Sequence, residues 1–282
     1  MPFALRRITQ IKDGEELALT DVHEEIAAPR KGRVDFAAFD RSAFTESQLT
    51  HAAQAWGTRA LQEYYSLALF TQISSQLHLI GVPLDWCGAF ARMIQDEVRH
   101  TDLCLRMCET LGHPATPSID ETELHLSSNR SLRNHVRDVV LSAFCIGETI
   151  SGMMFRRAMK AATVPLAQEV VAAILVDETF HGEVGWELLA LLLREISAGD
   201  RAVLVERIPV LFTHYRKLCG AQKSRAWALE GTDAEPEPNF GTLTETGYAR
   251  AFWDSMEEDI VPALSALGLT EAESAYATLI SE

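Results

Sequence analysis

Proline and glycine are scarce in this chain of 282 residues, at 10 and 16, too few for a low-complexity or linker-like sequence. With 47% apolar residues, the composition is that of a globular protein able to bury a large core. Basic residues are in deficit, 25 against 40 acids, for a formal net charge of −15. Binding nucleic acid or an anionic membrane takes a concentrated basic face, so neither is an expected partner. Cysteine is sparse and odd in number: Cys87, Cys104, Cys108, Cys145 and Cys219 suggest neither a disulfide framework nor a zinc knuckle. Packed free thiols, and with them a reducing cytoplasm, are expected. No window approaches 18 uncharged apolar residues, which argues against a membrane span. The first ten residues carry Arg6 and Arg7 without the apolar core of a signal peptide.

Helical periodicity dominates what remains. Residues 1–44 show no sustained period and read as an arm that wraps the domain or reaches a partner. Thr45 and Gln48 form a capping-box signature, and periodic apolar residues then run to Ile80, where Gly81 and Pro83 end the helix. A second helix over about 84–111 stops at Gly112-His113-Pro114, and the short turn between the two makes them antiparallel neighbours. Residues 113–130 read as a long connection. A third helix is expected from a cap at Asn129 or Ser131 to Ala161, and a fourth from Pro165 to Ser197. Further helices are expected over 201–218, over 246–267 and after a Thr270/Glu273 cap, with 220–245 as loop around Glu235-Pro236-Glu237-Pro238. The organisation is therefore an arm (1–44), a four-helix segment (45–197) and extra C-terminal helices (198–282).

Two runs inside these helices read almost alike: Asp96-Glu97-Val98-Arg99-His100 and Asp177-Glu178-Thr179-Phe180-His181. Residues three apart share a helix face, so each Glu and its His can hold one metal ion together. Helix 1 and helix 3 each place one more acid on a face that is otherwise core. Glu63 is flanked by Ala60, Leu67 and Phe70, and Glu148 by Leu141, Phe144, Gly152 and Phe155. A carboxylate on such a face needs a cation or a proton. Glu46 is the alternative acid on helix 1. Glu97 follows Glu63 by 34 residues and Glu178 follows Glu148 by 30, the separations that antiparallel partners need to bring their acids level. Four glutamates balance two divalent ions, with Glu63, Glu97 and His100 serving one and Glu148, Glu178 and His181 the other. Asp96 and Asp177 point about 100° away from their neighbouring ligands. That orientation suits them to hydrogen-bond a ligand histidine from across the bundle.

Over roughly residues 45–197 this pattern resembles the ferritin-like di-iron carboxylate superfamily. Its members include ribonucleotide reductase small subunits, multicomponent monooxygenases, arylamine N-oxygenases, tRNA hydroxylases, manganese catalases, rubrerythrins and ferritins. The resemblance implies an all-α, ferritin-like four-helix bundle with a long crossover between helices 2 and 3. It also implies two iron ions as cofactor, with manganese as the alternative. Departures from the pattern sort the members. Cys104 stands where radical-generating subunits carry tyrosine, and methane monooxygenase hydroxylases have cysteine there. Gly152 stands where those hydroxylases have threonine, and Ile174 where the N-oxygenases add a histidine ligand. Cys104, Phe144, Cys145, Gly152 and Ile174 are the expected pocket-lining residues. Tyr64 and Tyr65, beside Glu63, are candidates for electron relay or for helix packing. The implied activity is that of a non-haem di-iron oxygenase or oxidase that activates dioxygen to hydroxylate, desaturate or N-oxygenate a small organic substrate. No reductase or flavin motif is visible, so a separate electron donor is implied, and an outer bundle face is compatible with a homodimer. The alternative is a metal-handling ferroxidase or a dimanganese peroxide scavenger.

Overall fold

The capping box at Thr45 forms as expected: the Gln48 side chain accepts the Thr45 amide while the Thr45 hydroxyl accepts that of Gln48. It starts α2, Glu46–Ile80, which ends at Gly81 in the left-handed conformation (φ 76°), where the Gly81 amide caps the carbonyls of Leu77 and His78. The computed structural model, which describes residues 2–5, 20–126, 128–231 and 236–281, is all-helical apart from one short strand pair. Expectations about the first residues of the arm and the centre of the 220–245 loop fall largely outside the described residues.

The chain divides into two compact units, residues 1–128 with 164–174 and residues 129–163 with 175–282. In the first, α2 packs along α3, Leu84–Thr110. The buried residues of α2 fall mostly at steps of three, four or seven, on one face: Leu49, Ala52, Ala53, Trp56, Ala60, Glu63, Phe70, Ile73, Leu77 and Ile80. One row of α3 answers with Phe90, Met93, Glu97, His100, Cys104 and Met107, all buried. The described residues of the arm carry more regular structure than its sequence suggests. Its residues Phe3–Ala4 (β1) pair antiparallel with Ser118–Ile119 (β2), and Thr20–Ala27 form α1, which packs on α3. An eight-residue helix is too short to show a period.

In the second unit, Ser131 caps α4, Leu132–Val139, by accepting the Asn134 amide. A π-helical segment, Val140–Gly147, then passes directly into α5, Glu148–Ala161. The stretch Leu132–Ala161 is long and apolar enough to cross a membrane, but its most apolar window is 67% buried within the protein, as in a core helix. Helix α6, Pro165–Leu193, runs through both units. The single helix expected over 201–218 is two, α7 (Ala198–Val205) and α8 (Arg207–Leu218). Pro209 explains the break, since its ring opposes the carbonyl four residues earlier, at Val205. The 220–245 loop contains α9, Arg225–Glu230. The helix expected over 246–267 is α10 (Glu245–Ser255) and α11 (Val261–Ala266) joined by a π segment, Met256–Ile260. Pro262 accounts for that segment in the same way. Helix α12, Glu271–Ser281, packs on α8, and α10 packs on α5.

Candidate metal centre

Each unit assembles one of the two donor sets. In the first, α2 supplies Glu63 and α3 supplies Glu97 and His100, all buried. His100 Nδ1 lies 3.4 Å from Glu63 Oε2 and 3.9 Å from Glu97 Oε1. In the second, α5 supplies Glu148 and α6 supplies Glu178 and His181, again buried. His181 Nδ1 lies 3.4 Å from Glu148 Oε2 and 3.8 Å from Glu178 Oε1. In each triad one ligand atom from every residue lies within 4.8 Å of the others.

These separations fit a shared cation. Ligands about 2.0–2.2 Å from one ion stand roughly 3–4 Å apart, whereas a charge-assisted hydrogen bond closes to about 2.7–2.9 Å. Two carboxylates and a neutral imidazole carry two negative charges, which one divalent ion cancels. Without an ion, each triad would hold two carboxylates side by side away from water, an arrangement that requires proton uptake or a counter-charge. The helices explain why the donors converge. Glu63 occupies the apolar stripe of α2, and each Glu-x-x-His pair is one turn of a buried helix face. Glu46, the other acid on α2, is exposed and bonded to Arg41 and His113.

The neighbouring acid Asp96 is fully buried and engaged by arginines. It accepts Arg30 Nε at 2.6 Å and Arg99 Nη1 at 2.7 Å, with Arg92 Nε at 3.5 Å. Arg99 also donates to the Ala28 carbonyl at 2.8 Å. One turn on, buried Asp102 meets His23 at 3.3 Å, and the Arg106 guanidinium covers the Phe36 ring at 4.3 Å. Residues 96, 99, 102 and 106 thus form a second row on α3, against which the arm lies. Asp177 is equally buried.

Of the expected pocket residues, Cys104, Phe144, Cys145 and Ile174 are fully buried. Burial first, and then the charge of Glu63, push the Cys104 thiol well above its ordinary value. Burial does the same to Cys145, whose thiol donates to the Gly185 carbonyl at 3.3 Å. Both thiols stay protonated and serve as packing groups. The glycines differ in role. A Cβ on buried Gly152, one turn after Glu148, would meet nothing within 4 Å, so space remains beside the ligand face of α5. A Cβ on Gly185 would come 2.4 Å from the Phe144 carbonyl oxygen, so that glycine lets α6 approach the π segment. Tyr64 stacks edge-on with Phe3 and the Tyr65 hydroxyl accepts the Asp120 amide, so both tie down surface segments. A cavity of about 400 Å³ bordered by Glu206, Thr213, Glu271 and Thr278 contains none of the candidate ligands.

Two groups of consequence were not singled out in the sequence: Arg30, which reaches Asp96, and Tyr215, whose hydroxyl meets the π segment ahead of Glu148. Neither belongs to a local motif. Comparison of the chain with protein-family models, with curated proteins and with solved structures finds no match. The protein is mostly helical, with buried Glu/His clusters able to hold metal.

Proposed function

We propose that each triad holds one iron ion in a ferritin-like fold, and that the protein is a di-iron oxygenase or oxidase acting on a small organic substrate. The observation that carries this reading is the duplication: two Glu, Glu-x-x-His sets, both buried and matching in their internal distances to within 0.1 Å. A surface ion pair has no reason to recur in that form. When bound, two ferrous ions would supply two electrons for the activation of dioxygen, and a separate electron donor would restore them between turnovers. The chain contributes charge balance through four glutamates, ligand orientation through helix spacing, and exclusion of water through burial. The space beside Gly152 is where oxygen or a substrate atom has room, and the protonated thiols of Cys104 and Cys145 keep their surroundings uncharged.

The test is elemental analysis of protein purified without oxygen, followed by oxygen uptake with and without candidate substrates. About two irons per chain and substrate-dependent uptake are expected. Glu63→Ala and Glu148→Ala should each lose at least one ion. Two manganese ions with rapid peroxide turnover would replace the oxygenase reading by that of a scavenger, and oxygen uptake driven by added ferrous ion with no organic substrate by that of a ferroxidase. Absence of stoichiometric metal after reconstitution would refute the metal centre itself.

A further inference from the structure

The π segment ending at Gly147 stands directly before Glu148. In such a turn the backbone bonds i to i+5 and accommodates one residue more than an α-turn, so the residues beyond it are rotated by about 100°. Whether Glu148 faces His181 therefore depends on that turn being kept. A π turn is less stable than α-helix and persists where neighbours hold it.

Two side chains hold it here. Tyr215, on α8, donates its buried hydroxyl to the Ser142 carbonyl at 2.9 Å, in the middle of the segment. Gly147 makes room for that phenol, since a Cβ there would lie 2.8 Å from the Tyr215 hydroxyl oxygen. At the other side, the Thr149 hydroxyl donates to the Cys145 carbonyl at 2.6 Å while accepting Trp186 Nε1 at 3.1 Å. Tyr215 thus braces the segment from 73 residues further along the chain. Burial raises the Tyr215 hydroxyl well above its ordinary value, and the nearby Glu148 charge adds to this, so the phenol remains a donor at any working pH.

We infer that Tyr215 is a positioning residue for the second triad: by holding the π turn, its hydroxyl fixes the direction of Glu148 toward the ion shared with Glu178 and His181. This rests on the metal-centre reading. It also gives the C-terminal helices a part in the site, as the frame of one ligand.

The experiment is anaerobic equilibrium dialysis of metal-free protein against ferrous ion, comparing wild type, Tyr215→Phe, Gly147→Ala and, as control, Tyr65→Phe. Tyr215→Phe keeps the ring and removes only the donor. Outer hydrogen-bond partners of a metal ligand commonly affect affinity by about 10–100-fold. The expected result is one ion held as in wild type and the other weakened at least about tenfold. Gly147→Ala should reproduce that pattern, and Tyr65→Phe should leave both ions tight. Circular dichroism confirms that each variant is folded. Two equally tight ions in Tyr215→Phe would overturn the inference while leaving the metal centre standing, and so would equal weakening of both ions, the mark of a general loss of stability. Failure of wild type itself to bind two ions would overturn both.

Discussion

Replacing Gly185 by alanine adds one methyl group where α6 meets the π segment, and its cost can be worked from the geometry. The new Cβ would stand 2.4 Å from the Phe144 oxygen and 2.6 Å from its carbonyl carbon, against 3.4–4 Å for ordinary contact. Both obstructing atoms are backbone, so no rotamer relieves the overlap and the helices must part by roughly 1 Å. Overpacking of this kind costs about 1–3 kcal/mol, and a backbone obstruction belongs at the upper end. Alanine returns up to about 1 kcal/mol through its helix propensity. A net loss of about 2 kcal/mol remains, which for a domain of this size lowers Tm by about 4–8 °C. The Cys145–Gly185 hydrogen bond goes with it. The assay is thermal unfolding of metal-free protein followed by circular dichroism, with Gly152→Ala alongside. At Gly152 the Cβ meets nothing within 4 Å, so the same substitution should stabilise by about 0.5–1 kcal/mol. Opposite signs from one chemical change are the prediction; a Gly185→Ala variant as stable as wild type would refute the reasoning.

Other consequences can be checked independently. Arg99→Leu removes the most buried partner of Asp96 and should cost about 3 kcal/mol in urea unfolding. Arg30→Ala, at a side chain about a third exposed, should cost only about 1 kcal/mol while speeding amide exchange across residues 23–36. Of the five thiols, half-exposed Cys87 alone should react with a thiol reagent in the folded protein, and all five should react in denaturant. Burial pushes the thiols of Cys108 and Cys219 up to about 12, from 9.0 for an unperturbed group. The unfolded chain then ionises first. The contribution of these thiols is complete below about 9 and lost as pH rises toward about 12. A Cys108→Ala/Cys219→Ala variant should show a shallower alkaline decline in Tm.

Much of the helix layout and both triads could be read from the chain because their causes are local. The Thr45/Gln48 box, the stop at Gly81 and the Glu-x-x-His turns are each decided within a few residues. Glu63 was identifiable because Ala60 and Phe70 made its face apolar. Other features have causes distant in sequence. Nothing before Glu148 marks a π turn, because it depends on a hydroxyl 73 residues ahead of Ser142 and on the glycine that admits it. Asp96 reads as a partner for a histidine, but its arginine contacts include one from residue 30, on an arm with no periodicity. The breaks before Pro209 and Pro262 were legible in principle, since proline acts on the turn that precedes it.

Each triad is contiguous in another sense. The ligands of the first all lie between residues 63 and 100, and those of the second between 148 and 181. Closing either donor set means closing one short hairpin, and the entropy of that closure grows only slowly with loop length. During synthesis the first hairpin leaves the ribosome with its three ligands complete before any residue of the second triad has been translated. An ion captured at that stage would neutralise Glu63 and Glu97, two of the acids that collapse of that hairpin buries. On that reading, metal supply would set the yield of folded chain, and starvation for metal would appear as loss of protein.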